Sequence, residues 1–250
     1  MTSSTSSGAP STEPDDPADP ADGRPRRQVW GRRQGPKLRP GRRSLLEERL
    51  PEVGFTIPET GRLDPRVLFG GEDRPVWLEI GFGGGEHLAW QAEANPGVGL
   101  IGVEPFVNGV ARLLSFLEER GCRNVRVLTD DARLLLTALP DASLDRTFVL
   151  FPDPWPKLRH QKRRIVNRAT VAELARALKP GAELRVATDD ADYARWMLEA
   201  LLAEPRLEWT AERAADWRER PADWPATRYE EKALAAGRRP TFLRFRRVEG

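Results

Sequence analysis

The fold class is indicated by ten consecutive residues, Val76-Trp77-Leu78-Glu79-Ile80-Gly81-Phe82-Gly83-Gly84-Gly85. The first half of this stretch is a continuous apolar run with one acid near its end, which is typical of a buried β-strand. Its second half is a glycine loop, and the segment 86–95 behind it predicts a helix closed by Asn95-Pro96-Gly97. A strand, a glycine loop and a helix in this order indicate the first β-α unit of a parallel sheet.

The same alternation of strand and helix continues towards the C-terminus. Apolar runs predict further strands at 98–103, 125–128, 147–151, 183–187, 207–210 and 242–246. Helical spacing of apolar residues predicts helices at 107–120, 132–139, 167–178 and 193–203. We therefore expect an α/β fold with a mostly parallel, seven-stranded sheet and helices on both faces.

The composition limits which kinds of metal site, disulfide and membrane segment the chain can contain. The chain has 250 residues, enough for one large α/β domain with tails. Its single cysteine, Cys122, excludes an internal disulfide and a cysteine-rich metal site, and its two histidines cannot build a His-based metal centre, so we expect no metal. No apolar run approaches the ~20 residues of a membrane helix. We expect a cytoplasmic protein without a membrane partner.

Charge is strongly segregated near the N-terminus, although the formal net charge is only +2. The segment 1–23 carries five acids and no cation, whereas 24–43 carries nine cations and no acid. We expect residues 1–43 to form a disordered extension, acidic and then basic, and residues 44–250 to form the folded domain. The basic half is either a solvated tail or an RNA-binding arm, and Trp30 within it favours binding.

Acids stand at the ends of several predicted strands, where ligands of parallel sheets bind. They are Glu79, Glu104, Asp131 and Asp189, and Asp153 follows the fourth strand. Any single acid here can instead cap the next helix, an alternative that stays open for Asp130 and Asp190.

The glycine loop predicts a ligand without phosphates. Gly81 and Gly83 let a ligand approach the backbone, but Glu86 replaces the third glycine of the dinucleotide fingerprint. Its negative charge at a helix N-terminus favours a ligand with a positive centre, such as S-adenosylmethionine. Glu104 is then placed to accept from the ribose hydroxyls, and Asp131 from an adenine amino group.

A second motif, Phe151-Pro152-Asp153-Pro154-Trp155-Pro156-Lys157, follows the fourth strand. Its prolines fix φ and remove backbone donors, which predicts a stiff, irregular loop holding Asp153. Five cations come next: Lys157, Arg159, Lys162, Arg163 and Arg164. A rigid acid beside a cationic run is typical of a site that grips a polyanion next to a reactive group.

In their order along the chain, these motifs resemble the bacterial tRNA (guanine-N7-)-methyltransferases of the TrmB type. The resemblance covers roughly residues 29–247 and rests on the segments 78–83, 102–105, 131–132, 151–164, 187–189 and 227–230, with Trp30-Gly31-Arg32-Arg33-Gln34-Gly35 similar to the family's basic N-terminal motif. It implies a class I methyltransferase fold of the Rossmann-like kind, with residues 44–250 as the methyltransferase domain. The implied reaction is methyl transfer from S-adenosylmethionine to N7 of guanosine 46 in the tRNA variable loop.

The resemblance also implies residue roles. Cofactor contacts fall on the loop glycines Gly81 and Gly83 and on the acids Glu79, Glu104, Asp131 and Asp153, with Asp153 as the catalytic residue. Substrate contacts fall on Lys157, Asp189, Thr227, Arg228, Tyr229 and Glu230, and the cations Arg159, Lys162, Arg163 and Arg164 would neutralise tRNA phosphates. We expect Thr227, Tyr229 and Glu230 to clamp the guanine edge.

Several alternatives stay open at this point. Trp155 either stacks on a base or plugs the core under its loop, and we favour the core plug. The chain is a monomer or a homodimer. Other functions are a methyltransferase acting on another RNA position, a small molecule or a protein, a non-catalytic RNA-binding protein, and a nicotinamide-dependent oxidoreductase, which Glu86 disfavours.

Overall fold

The computed structural model of the chain describes residues 29–30, 33–71 and 73–249. The described residues form seven strands: β1 (Val76–Ile80), β2 (Gly99–Val103), β3 (Val125–Leu128), β4 (Leu144–Leu150), β5 (Leu178–Thr188), β6 (Leu207–Trp209) and β7 (Thr241–Arg247). They make one sheet of order β3-β2-β1-β4-β5-β7-β6. β1 to β5 pair in parallel, and β7 runs antiparallel to β5 and β6. The prediction of a mostly parallel, seven-stranded α/β sheet is confirmed.

Helices cover both faces of this sheet. The described residues form α1 (Pro40–Glu48), α2 (Leu50–Val53), α3 (Glu86–Ala94), α4 (Val107–Glu119), α5 (Ala132–Ala138), α6 (Arg168–Ala177), α7 (Ala191–Leu202), α8 (Ala215–Arg218) and α9 (Arg228–Ala235), with short 3-10 helices at Pro65–Phe69 and Leu158–Arg163. On one face Leu78 and Ile80 pack against α5, α6 and α7. On the other face α3 and α4 pack on β2 and β3. Burial of these two apolar layers holds the elements together.

Helix starts and strand ends follow local chemistry. Asp131, Asn167, Asp190 and Thr227 each cap a helix by accepting a backbone N–H, which satisfies a donor that the helix leaves open. β5 is longer than predicted because it also covers the expected turn at 179–181. The register with β4 shifts there, from Leu144 opposite Leu178 to Arg146 opposite Glu183.

The order of the strands determines where a ligand can bind. β1 lies between β2 and β4, so the chain leaves β1 to one side and later returns on the other side. The carboxyl ends of strands at such a reversal border a crevice. The glycine loop follows β1 and the Asp153 loop follows β4, so both open into this crevice.

The N-terminal boundary differs from the prediction. α1 begins at Pro40, so the expected boundary at residue 44 falls inside a helix. Before it, Val107 donates to the Arg33 carbonyl at 3.0 Å, and Asn108 bonds Gly35 N at 2.7 Å and the Pro36 carbonyl at 2.8 Å. Backbone bonds to α4, which composition cannot reveal, fix this basic segment. The disorder expected for residues 1–28 lies outside the described residues.

Within the described ranges, no helix is long and apolar enough to cross a membrane.

Candidate active site

A cavity of about 380 Å³ opens at the carboxyl ends of β1 to β4. The residues around it come from all the sequence motifs except the segment 187–189. They include Trp30, Gly81, Gly83, Glu104, Asp130, Asp131, Asp153, Trp155, Arg163 and Tyr229. The structure therefore brings together the glycine loop, the Asp153 loop and two of the strand-end acids, Glu104 and Asp131.

The glycine loop adopts a backbone that side chains disfavour. Gly81 has φ of 70° and Gly83 has φ of 56°, both in the left-handed region. A Cβ added to Gly81 would meet no heavy atom within 4 Å, so a side chain there would occupy the cavity itself. The loop is thus shaped to leave room for a ligand.

Glu104 fixes the glycine loop from the end of β2. Its Oε2 accepts from Gly83 N at 2.7 Å and its Oε1 accepts from Phe106 N at 3.0 Å. Burial raises the pKa of this carboxyl to about 7, against the opposing effect of the two N–H bonds. The nearby charges of Asp153 and Glu79 push the pKa in the same upward direction.

Gly109 in α4 is a site residue that sequence reasoning missed. A Cβ at this position would lie 2.0 Å from the Gly83 carbonyl oxygen, so only glycine lets α4 approach the loop this closely. The signal in the sequence is a lone glycine within a helical pattern.

Asp131 lines the cavity and also caps α5. Its carboxylate accepts from Arg133 N at 3.0 Å and pairs with the Arg133 guanidinium at 2.6 Å. The capping alternative that was open for Asp130 therefore applies to Asp131, and Asp190 caps α7 through Tyr193 N at 2.8 Å. A contact to an adenine amino group has to share the carboxylate of Asp131 with these donors.

Glu79 lies outside the cavity wall that the described residues form. Its side chain points to the α3 face of β1 because neighbours along a strand alternate. There it is buried, with Oε2 at 2.7 Å from His87 Nδ1, and Gln91 Nε2 lies 3.2 Å from His87 Nε2. The cofactor contact of Glu79 stays a prediction, because this carboxylate already has a partner within the chain. That partner is His87, which holds the Glu79 side chain on the α3 face.

The loop after β4 is stiff and strained. Phe151 has φ of 51° and Trp155 has φ of 44°, and such left-handed values cost bulky residues energy. Between them Asp153 reaches the cavity, and desolvation by the cavity walls raises the pKa of its carboxyl. The irregular loop expected from the prolines is confirmed.

Arg164 holds this loop from below, so its predicted contact with tRNA phosphates is wrong. The residue is 1% exposed. Its guanidinium donates to the Pro154 carbonyl at 2.8 Å and to Asp192 at 2.6 Å, and lies over the rings of Tyr193 and Trp196. A buried cation with these partners cannot reach a phosphate.

Arg163 and Trp155 form the rim of the cavity. The Arg163 guanidinium carbon lies 4.9 Å from the centroid of the Trp155 ring and 4.6 Å from that of the Trp30 ring. Trp155 is half-buried, lines the cavity and belongs to none of the described core clusters. The favoured prediction of a core plug is therefore wrong.

The remaining cations of the run differ from Arg163 and Arg164 in their surroundings. Lys157, Arg159 and Lys162 are exposed around the 3-10 helix at Leu158–Arg163, next to the cavity rim. They are free to meet a polyanion.

Of the segment 227–230, only Tyr229 lines the cavity. Thr227 is buried and caps α9 by accepting from Glu230 N. Glu230 is buried with its carboxylate 3.1 Å from Arg220 Nε. The three-residue clamp therefore stays a prediction that requires Thr227 and Glu230 to exchange their internal partners. Arg228 stacks beside Tyr229 and faces Glu86 at 3.9 Å.

Asp189 lies outside the cavity wall formed by the described residues, where Arg238 Nε donates to its carboxylate at 2.7 Å.

The donor set fits S-adenosylmethionine. Carboxylates outnumber unpaired cations around the glycine loop, which suits a ligand with a positive sulfonium and ammonium. Gly81 and Gly83 would take the close backbone contact, and Glu104 the ribose. The described residues contain no group of three or more His, Cys, Asp or Glu arranged to hold a metal ion.

Comparisons with known proteins identify the family of the chain. A family model described as "Putative methyltransferase" matches residues 73–243. A tRNA (guanine-N(7)-)-methyltransferase of Rhodospirillum rubrum is 53% identical over 223 residues, covering 88% of each chain. Namesakes from Ruegeria pomeroyi and Paramagnetospirillum magneticum are 52% and 53% identical, covering 91% and 89% of this chain and 97% and 93% of their own. With its fold, its site and these relatives in agreement, the chain belongs to the tRNA (guanine-N(7)-)-methyltransferase family.

Proposed function

We propose that this enzyme transfers the methyl group of S-adenosylmethionine to N7 of guanosine 46 in the variable loop of tRNA. The observation that carries the proposal is the place of the Asp153 loop. One side of the loop faces the cavity, and its continuation carries the exposed cations Lys157, Arg159 and Lys162. The loop therefore joins a cofactor pocket to a surface for a polyanion, and the cytoplasm, which holds the tRNA, is where we place the enzyme.

In the cofactor half of the site, the side chains position S-adenosylmethionine and do not activate it chemically. Bound S-adenosylmethionine supplies an electrophilic methyl group on a sulfonium. Glu104 would accept from the ribose hydroxyls while its oxygens keep the backbone of Gly83 and Phe106 in place. Asp131 would border the adenine. Fixing the methyl group in line with its acceptor removes much of the entropic barrier.

The acceptor determines what Asp153 can do. Guanine N7 carries a lone pair and no proton, so a bond forms from N7 to the methyl carbon while the carbon–sulfur bond breaks and its electrons stay on sulfur. No general base is needed, and the purine becomes cationic. Asp153, held on a strained loop, would orient the base and stabilise this developing charge.

Substrate contacts divide into two groups. Lys157, Arg159, Lys162 and Tyr229 are placed to meet the tRNA without rearrangement. Asp189, Thr227, Arg228 and Glu230 are also proposed contacts by resemblance, but each has partners within the chain. To contact these four residues, the tRNA would have to replace their partners within the chain.

Product mapping tests the proposal. We would incubate unmodified tRNA transcript with labelled S-adenosylmethionine and the enzyme, then map the modified base. The expected product is one N7-methylguanosine at position 46, and a matched transcript with adenosine at that position should take no label. Label at another nucleotide or on another atom of guanine would overturn the assignment.

A further inference from the structure

A short N-terminal segment forms part of the cavity wall. We call the described residues 29–30 and 33–36 the N-terminal strap. Val29 and Trp30 line the cavity that Gly81 and Glu104 also line. The bonds from Val107 and Asn108 to Arg33, Gly35 and Pro36 anchor the strap to the start of α4. A ligand on the glycine loop therefore meets the strap as well.

An aromatic clasp, formed by Trp30, Arg163 and Trp155, joins the strap to the Asp153 loop. The Arg163 guanidinium carbon contacts both indole rings, at 4.6 Å from the Trp30 centroid and 4.9 Å from the Trp155 centroid. Its Nε is buried without a hydrogen-bond partner among the described residues. The cation is therefore held mainly by ring faces, and such contacts strengthen when water is excluded.

The clasp gives the strap a role different from that of a free RNA arm. The Trp30 indole already stacks on Arg163 and borders the cavity. The other partner of Arg163 is Trp155, which has φ of 44°, a strained backbone that surrounding contacts must hold in place. The Arg163 side chain thus links a residue of the cavity wall, Trp30, to the loop that carries Asp153.

We propose that Trp30 is a cofactor-retaining residue, and that the N-terminal strap closes over bound S-adenosylmethionine through the aromatic clasp. This inference rests on the assignment of the cavity to that cofactor. Opening the clasp exposes the pocket to water, so dissociation of the cofactor speeds up while phosphate contacts of the tRNA stay unchanged.

Full-length Trp30→Ala and Trp30→Phe proteins test the proposal by calorimetric titration with S-adenosylmethionine in the absence of RNA. We expect Trp30→Ala to raise the dissociation constant about tenfold, and Trp30→Phe, which keeps a ring face, to raise it less than about threefold. Trp217→Ala is the matched control. Trp217 also stacks with an arginine, Arg218 at 4.5 Å, but lies in α8 outside the cavity wall, so the constant should change less than about twofold.

A second titration with tRNA alone separates the strap from an RNA arm. Trp30→Ala should leave the tRNA dissociation constant within about twofold of the unsubstituted protein. Weaker tRNA binding with unchanged cofactor binding would overturn the proposal in favour of an RNA arm. Unchanged binding of both would overturn it as well. Failure of the unsubstituted protein to bind S-adenosylmethionine would remove the pocket assignment too, which distinguishes the two failures.

Discussion

Two carboxylates of the cavity, Glu104 and Asp153, are held in opposite ways. Glu104 is buried and accepts two backbone N–H groups, so it is part of the wall. Asp153 is an exposed residue whose carboxyl is partly desolvated where it faces the cavity, and the nearby Phe151 and Trp155 on its loop have positive φ. A buried, bonded acid suits a constant contact with the cofactor, whereas an exposed acid on a stiff loop suits a substrate that arrives and leaves.

The raised pKa of Glu104 predicts a pH dependence of cofactor binding. In the proposed complex the ionised carboxylate would accept from ribose hydroxyls and attract a cationic ligand, so we expect binding to weaken as pH falls through the pKa of about 7. The dissociation constant of S-adenosylmethionine should rise about tenfold from about pH 8 to about pH 6, as calorimetry at each pH would show. Glu104→Gln should flatten this profile, and a profile equally steep in that variant would contradict the assignment.

The Glu104 carboxyl also changes the free energy of unfolding with pH, in a direction that its raised pKa determines. Its folded pKa of about 7 lies above the ordinary value of 4.5, so the folded protein without cofactor binds this proton more tightly than the unfolded chain. The contribution of Glu104 to the free energy of unfolding is therefore fully present below the ordinary pKa and is lost as pH rises through about 7.

At the scale of elements, the site depends on how closely α4 approaches the glycine loop. Gly109→Ala places a Cβ 2.0 Å from the Gly83 carbonyl oxygen. We expect a loss of about 1–3 kcal/mol in the free energy of unfolding, measured with urea, together with weaker cofactor binding. Gly41→Ala in α1, where the new Cβ meets nothing within 4 Å, is the control and should be neutral or stabilising by less than about 1 kcal/mol. Equal behaviour of the two variants would contradict the close-packing argument.

The sequence predicts elements better than it predicts where side chains point. The strands at Val76–Ile80 and Val125–Leu128 agree to the residue because continuous apolar runs ended by loops are unambiguous. Glu79 and Arg164 each have a partner within the chain that the sequence pattern does not reveal. A charged residue next to a site motif looks like a ligand contact, and only tertiary structure shows that His87 and Asp192 are their partners.

The expectation of disorder for the basic N-terminal segment differs from the structure for a related reason. Nine cations in 20 residues indicate an unfolded tail, but Asn108 holds the strap through backbone groups, which composition does not record. Within that run, the indole of Trp30 is not typical of a solvated tail. The structure gives its indole a partner in Arg163.

For the whole molecule, the distribution of cations predicts how tRNA binding responds to salt. Lys157, Arg159 and Lys162 lie together at the carboxyl edge of the sheet. Replacing all three by alanine should lower the slope of log affinity against log salt by about 2, because each lost phosphate contact removes about 0.7–0.9. Arg123→Ala, which removes an exposed cation just before β3 at the opposite edge, should leave the slope unchanged. If Arg123→Ala changed the slope by one third of the change in the triple variant, Arg123 would contact a phosphate as each of the three cations does. That result would contradict tRNA binding at the carboxyl edge.

We propose that Asp153 promotes methyl transfer through the negative charge of its carboxylate, because guanine N7 has no proton for a base to remove. Single-turnover methyl transfer to tRNA by Asp153→Asn, with both ligands saturating, tests it most directly. Asparagine keeps the shape of the side chain and removes its charge. We predict a rate about 10²–10³-fold lower with an S-adenosylmethionine dissociation constant within about twofold of the unsubstituted enzyme. A rate close to that of the unsubstituted enzyme would contradict the account.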